Sequence, residues 1–113
     1  MDQEKGKLAV GIEYDGRIHK DFMLRPQIVR DSIEAMENER AQKSNSYFGL
    51  CLLTKQIVKL GEVPQEKITP DLVMQLTDVD FEILVKAKEA LESRLRSFLA
   101  KAGNLEKTGA GAA

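Results

Sequence analysis

The sequence predicts an α+β domain, an N-terminal antiparallel β-hairpin followed by three to four α-helices, the last one long. Three observations predict it. Apolar and polar residues alternate from Leu8 to Leu24 around Asp15-Gly16, and the apolar spacing becomes helical from Pro26 onward. The stretch from Ile68 to Ala102 then opens on two successive N-cap signals and continues as a long apolar seam.

In the hairpin, Leu8, Val10, Ile12 and Tyr14 alternate with Ala9, Gly11 and Glu13, and Ile18, Phe22 and Leu24 continue the pattern beyond the turn. A two-residue Asp15-Gly16 loop would set Tyr14 opposite Arg17 and Ile12 opposite His19, which places the two apolar sets on different faces of the ribbon. A three-residue loop, Tyr14-Asp15-Gly16 with Gly16 as a left-handed bulge, pairs Ile12 with Ile18 and Leu8 with Phe22 instead. That bulge or an equivalent one is expected. Because a two-stranded ribbon is marginal in water, its apolar face is expected to lie on helices or on another chain's strand.

From Pro26 to about Gln42 a first helix is predicted, with Ile28, Val29, Ile33 and Met36 on one side and Arg30, Glu34, Glu37 and Arg40 elsewhere. Gln42 to Ser46 is a polar break. Tyr47 to Leu60 reads as a second helix ending at Gly61, and Phe48, Leu52, Leu53, Ile57, Val58 and Leu60 make its apolar face wide enough for the centre of the fold. Glu62 to Lys67 reads as a loop. Thr69-Pro70 starts a short helix, Asp71 to Leu76, and Thr77 with Asp80 at the third helical position forms a capping box for the last helix. That helix carries Asp80 and Glu82 near its start and Arg94, Arg96 and Lys101 near its end, matching the macrodipole. Gly103-Asn104 is expected to stop it. The resulting organisation is a flexible N-terminus over residues 1–6, a single α+β domain over 7–103, and a disordered tail over 104–113.

Composition narrows the function. Lys and Arg number 17 against 18 Asp and Glu, a formal net charge of -1, so no general attraction to nucleic acid or to an anionic membrane is expected. No apolar run approaches the roughly 20 residues that cross a bilayer. The charged N-terminus lacks the apolar core of a secretory signal and Cys51 is the single cysteine, which fits a reducing cytoplasm.

The candidate chemistry is sparse. Cys51 within Gly49 to Leu53 reads as a small core hydrophobe, and His19 as a surface or cross-strand residue, so no thiol enzyme is assembled from them. One Cys and one His do not make a zinc site. Asp78, Asp80 and Glu82 lack the spacing of a calcium loop and are explained by helix capping, while Gly11, Gly16 and Gly61 form no phosphate loop. Arg25, Arg30 and Arg40 form no basic stripe. No catalytic residue, metal or cofactor is expected.

Association is the expected role. Leu84, Leu91, Leu95, Phe98 and Ala102 recur on one side of the last helix, which at about 23 residues would be about 34 Å long and overhang so small a core. Leu91, Leu95, Phe98 and Leu99, with Met74 on the preceding short helix, are the candidate partner-binding residues, for a homo-oligomer or a client helix.

Taken in order, the hairpin, Phe22-Met23-Leu24-Arg25-Pro26, an acidic first helix, Leu53 to Gly61, and Ile68-Thr69-Pro70 leading to Leu76-Thr77-Asp78-Val79-Asp80-Phe81 resemble the tail assembly chaperones of Mu-like and related contractile-tailed phages. The resemblance spans Leu8 to Phe98. It implies a non-enzymatic protein of the host cytoplasm that binds the tape measure protein and keeps it soluble until tail tube protein assembles around it. It also implies a longer frameshifted form that recruits tail tube protein. The alternative is a structural or adaptor subunit of a phage or prophage tail assembly, acting through its hairpin edge and helical surface.

Overall fold

The computed structural model describes residues 2–109, with side chains through Lys101. Strand β1 (Glu4–Tyr14) turns into β2 (Arg17–Leu24), and helices α1 (Val29–Met36), α2 (Glu39–Lys43) and α3 (Asn45–Gln56) follow. Strand β3 (Ile57–Leu60), a single 3-10 turn (Gln65–Lys67), α4 (Pro70–Val73) and the long α5 (Asp78–Gly109) complete the chain. The strands form one antiparallel sheet in the order β1-β2-β3. The fold is α+β, as the alternating and helical periodicities predict.

The hairpin keeps the two-residue loop. Asp15 and Gly16 both have positive φ, 53° and 76°, the geometry of a type I′ turn, and Tyr14 lies opposite Arg17 with Ile12 opposite His19. The required change of phase occurs further along the ribbon, between Lys7 and Ile12, where four residues of β1, Leu8 to Gly11, bulge against the single Lys20 of β2. Leu8 and Ile12 therefore both face the core, together with His19, Phe22 and Leu24, while Ile18 faces out. The expected bulge exists, but at Leu8 to Gly11 rather than in the turn, and Phe22 lies opposite Gly6 rather than Leu8.

The predicted helix from Tyr47 to Leu60 is corrected. Helix α3 ends at Gln56, and Ile57 to Leu60 leave as a strand that pairs with β2, Phe22 opposite Leu60 and Met23 opposite Lys59. Two β-branched residues, Ile57 and Val58, at the junction favour the extended form, and the hairpin offers an open edge to receive it. Gly61 then turns the chain with φ +55°, and a Cβ there would lie 2.4 Å from the His19 ring.

The predicted first helix is two. Helix α1 starts at Val29, and Asn38 ends the continuity by capping α2 through Oδ1 and the Ala41 N–H at 3.1 Å. Ser44 caps α3 in the same way. Pro26 lies in the extended entry to α1 rather than in its first turn. The main core joins Leu8, Ile12, Phe22 and Leu24 of the sheet to Leu53, Ile57, Leu60, Val63, Ile68 and Val73 and to Leu84 and Leu91 of α5. Ala35, Ala41, Cys51 and Leu52 form a smaller cluster between α1, α2 and α3. Cys51 is buried as expected, and burial pushes its thiol up.

Both termini depart from expectation. Residues 2–6, expected to be flexible, include the start of β1, with Glu4 opposite Leu24. The backbone of α5 continues past Gly103-Asn104 through Gly109, and residues 110–113 of the expected disordered tail lie outside the described residues. No described helix is long and apolar enough to cross a membrane.

Candidate interaction surfaces

Helix α5 is bound to the hairpin at two points. At its start the Thr77 hydroxyl accepts the Asp80 N–H at 3.2 Å, which fixes the first turn. The Asp80 side chain, fully buried, accepts hydrogen bonds from three consecutive backbone N–H groups of the β1 bulge: Ala9 and Val10 on Oδ1 at 2.7 and 3.0 Å, and Gly11 on Oδ2 at 2.8 Å. Burial alone would raise the Asp80 carboxyl, but these donors outweigh it and hold it below the usual carboxylate value. Only half of the expected capping box is formed, since the Asp80 carboxylate turns to the β1 bulge and not back to the Thr77 N–H. Wherever β1 bulges, its freed N–H groups need an acceptor, and Asp80 is that acceptor.

The second point is Arg94. Its Nε and Nη1 donate to Asp2 Oδ2 at 3.0 Å and Glu4 Oε1 at 2.6 Å, and Nη2 donates to the Gln3 carbonyl at 3.0 Å. Strand and helix run antiparallel, and the two attachments are commensurate. Glu4 to Val10 spans about 20 Å at about 3.3 Å per strand residue, and Asp80 to Arg94 about 21 Å at 1.5 Å per helical residue. Between the attachments Leu84 and Leu91 are fully buried.

Beyond Arg94 the helix loses its support. Leu95 still packs against the core at its rim, whereas Phe98 is 59% and Leu99 70% exposed. The apolar line thus passes from the core into solvent without a break. Arg96 and Lys101 are exposed beside it, and no acidic side chain occurs from Ser93 to Lys101.

The five candidate partner-binding residues are therefore not one surface. Phe98 and Leu99 project from the overhang, Leu95 lies at its base, and Met74 is exposed at the end of α4. Leu91 is a correction: it is fully buried in the main core and presents nothing to a partner. Helical periodicity places Leu91 and Phe98 on the same side, and only the end of β1 decides where burial stops.

A second apolar surface lies on α1. Val29, Ile33 and Met36 share one side of α1 and are 77%, 55% and 60% exposed. The opposite side carries Asp31 and Ala35, both buried. Arg25 Nη1 and Nη2 donate to the two Asp31 oxygens at 2.8 and 2.9 Å, and the Ile28 N–H donates to Oδ2 at 3.0 Å. The Arg25 hydrogen bonds, reinforced by the one from Ile28, hold the Asp31 carboxyl below its usual value against the opposing effect of burial. This bidentate pair fixes the rotation of α1 and leaves its apolar stripe in solvent.

The hairpin edge is less open than its sequence suggests, since the N–H groups of Ala9, Val10 and Gly11 are already bonded to Asp80. His19 is buried rather than superficial. It bonds the Tyr14 carbonyl through Nε2 at 3.0 Å and accepts the Glu62 N–H on Nδ1 at 3.1 Å, a structural bridge from β2 to the turn after β3. A cavity of about 650 Å³ is bordered by Arg25, Asp31, Lys55 and Thr69, and its Arg25 and Asp31 already neutralise each other. Among the described residues no three His, Cys, Asp or Glu side chains converge as a metal site would require. Comparison with protein-family models, with curated proteins and with solved structures gives no match for this chain.

Proposed function

We propose that the protein is a non-enzymatic phage tail assembly chaperone that binds the tape measure protein in the host cytoplasm and keeps it soluble during tail assembly. The observation that carries this reading is the α5 overhang, where Phe98 and Leu99 continue a buried apolar line into solvent. An extended helical client is accommodated by such a rod, because a second amphipathic helix laid along it covers apolar side chains at helical spacing. Arg96 and Lys101 beside the strip favour a client segment with acidic flanks. The resemblance of the element order from Leu8 to Phe98 to tail assembly chaperones supplies the identity of that client. Tail tube protein, reached through a longer frameshifted form, remains part of this proposal.

Coexpression with the tape measure protein tests it. Phe98→Asp with Leu99→Asp alters only exposed positions, so the chaperone should stay folded while the soluble fraction of the client falls at least several-fold. An unchanged soluble fraction with the folded variant overturns the proposed surface.

A further inference from the structure

We infer that the outward stripe of α1 is a self-association surface, on which a second copy of this chain docks its own α1 antiparallel about a two-fold axis near Ile33. The inference does not depend on the proposed client.

The charges beside the stripe identify the occupant. Arg30 and Glu37 lie seven residues apart on the same flank of Val29, Ile33 and Met36, both are exposed, and neither forms an ion pair among the described residues. Two turns of helix separate them, with Ile33 near their midpoint. An antiparallel two-fold pairing brings each flank against its own copy in reverse, so Arg30 of one chain meets Glu37 of the other, twice per dimer. A parallel pairing would set this flank against the opposite one, which carries Ser32, and leave Arg30 and Glu37 without each other. The stripe is thus complementary to itself in one orientation only.

Shape supports the same orientation. Beside Met36, at the C-terminal end of the stripe, lies a groove of about 350 Å³ lined by Met36, Ala41, Gln42, Asn45 and Phe48. The most exposed apolar residue of the stripe, Val29, is at the opposite end. The two-fold delivers each Val29 to the other chain's groove. Rotation of α1 to bury the stripe within its own subunit is blocked by the Arg25–Asp31 pair, so a partner is the remaining means of covering it. An α1 of eight residues is about 12 Å long, which limits the interface to the small, reversible class below about 1,200 Å².

Sedimentation equilibrium over a wide concentration range reads the association directly. Wild type should show a reversible monomer–dimer equilibrium that Ile33→Asp abolishes, since the two introduced carboxylates would meet at the axis. Arg30→Glu and Glu37→Arg should each weaken dimerisation about tenfold, as opposed charges become like charges at two places, and the double exchange should restore it. Circular dichroism checks that each variant is folded, and Phe98→Asp with Leu99→Asp should leave the dimer intact. A wild type that stays monomeric, failure of the double exchange to restore association, or a dimer lost through the α5 substitutions and not through Ile33→Asp would overturn the inference.

Discussion

Helices α1 and α5 both carry an apolar stripe at helical spacing, yet one turns it outward and the other buries it for most of its length. The difference lies in where each helix has its buried carboxylate. In α5, Asp80 accepts from the β1 bulge on the same side as Leu84 and Leu91, so satisfying the carboxylate and burying the apolar line require the same rotation. In α1, Asp31 lies opposite Val29, Ile33 and Met36, and its bond to Arg25 exposes the stripe. A buried charge left without its partner costs more than a few exposed methyl groups, so the carboxylate sets the rotation.

The largest effect expected from breaking this comparison is at Asp80. Asp80→Ala leaves the three bulge N–H groups buried without an acceptor and should cost about 4 kcal/mol or more. Asp80→Asn keeps one acceptor oxygen but turns an NH2 group toward a donor, and should cost about 2–3 kcal/mol. Denaturant unfolding measures both.

Within α5 itself, Leu91→Ala should destabilise by about 2–5 kcal/mol through the cavity it leaves, whereas Phe98→Ala should change stability by less than about 0.5 kcal/mol. Equal losses at the two positions would mean that the overhang is covered.

Acid should separate the two carboxylates more gently. Both native values are lowered, Asp31 mainly by the Arg25 hydrogen bonds and Asp80 by the bulge donors working against burial. Their contributions are therefore complete above the ordinary Asp value, about 3.9, and are lost as pH falls through the lower native values. Melting temperature should decline below about pH 4, and Asp31→Asn should flatten part of that decline while lowering stability at neutral pH. An acid profile identical to wild type would remove Asp31 from the account.

Much of the site was legible in the sequence. Thr69-Pro70 and Thr77 with Asp80 mark helix starts through local hydrogen bonding, and the change from alternating to helical spacing separates sheet from helices. The excess length of the last helix is legible too, since it needs only the rise per residue. Ile57 to Leu60 were not legible as a strand, because a short apolar run after a helix has the same composition in either state. Nor was the outward stripe of α1, since periodicity shows that a stripe exists and not what it faces.

The sequence by itself determined a hairpin followed by helices, the caps at Thr69 and Thr77, the position of the turn at Asp15-Gly16 and the need for a bulge somewhere in the hairpin, all consequences of interactions within a few residues. Tertiary structure alone decided where that bulge lies, that β3 leaves α3 to pair with β2, that Leu91 is core while Phe98 is surface, and which way α1 turns. The first three rest on contacts between residues far apart in the chain, Asp80 with Ala9 to Gly11, Arg94 with Asp2 and Glu4, and Ile57 to Leu60 with β2, and the last on the Arg25–Asp31 pair buried as α1 packs. Local spacing carries no record of them, because the partner that satisfies a buried donor or covers an apolar face is supplied only when the chain has folded.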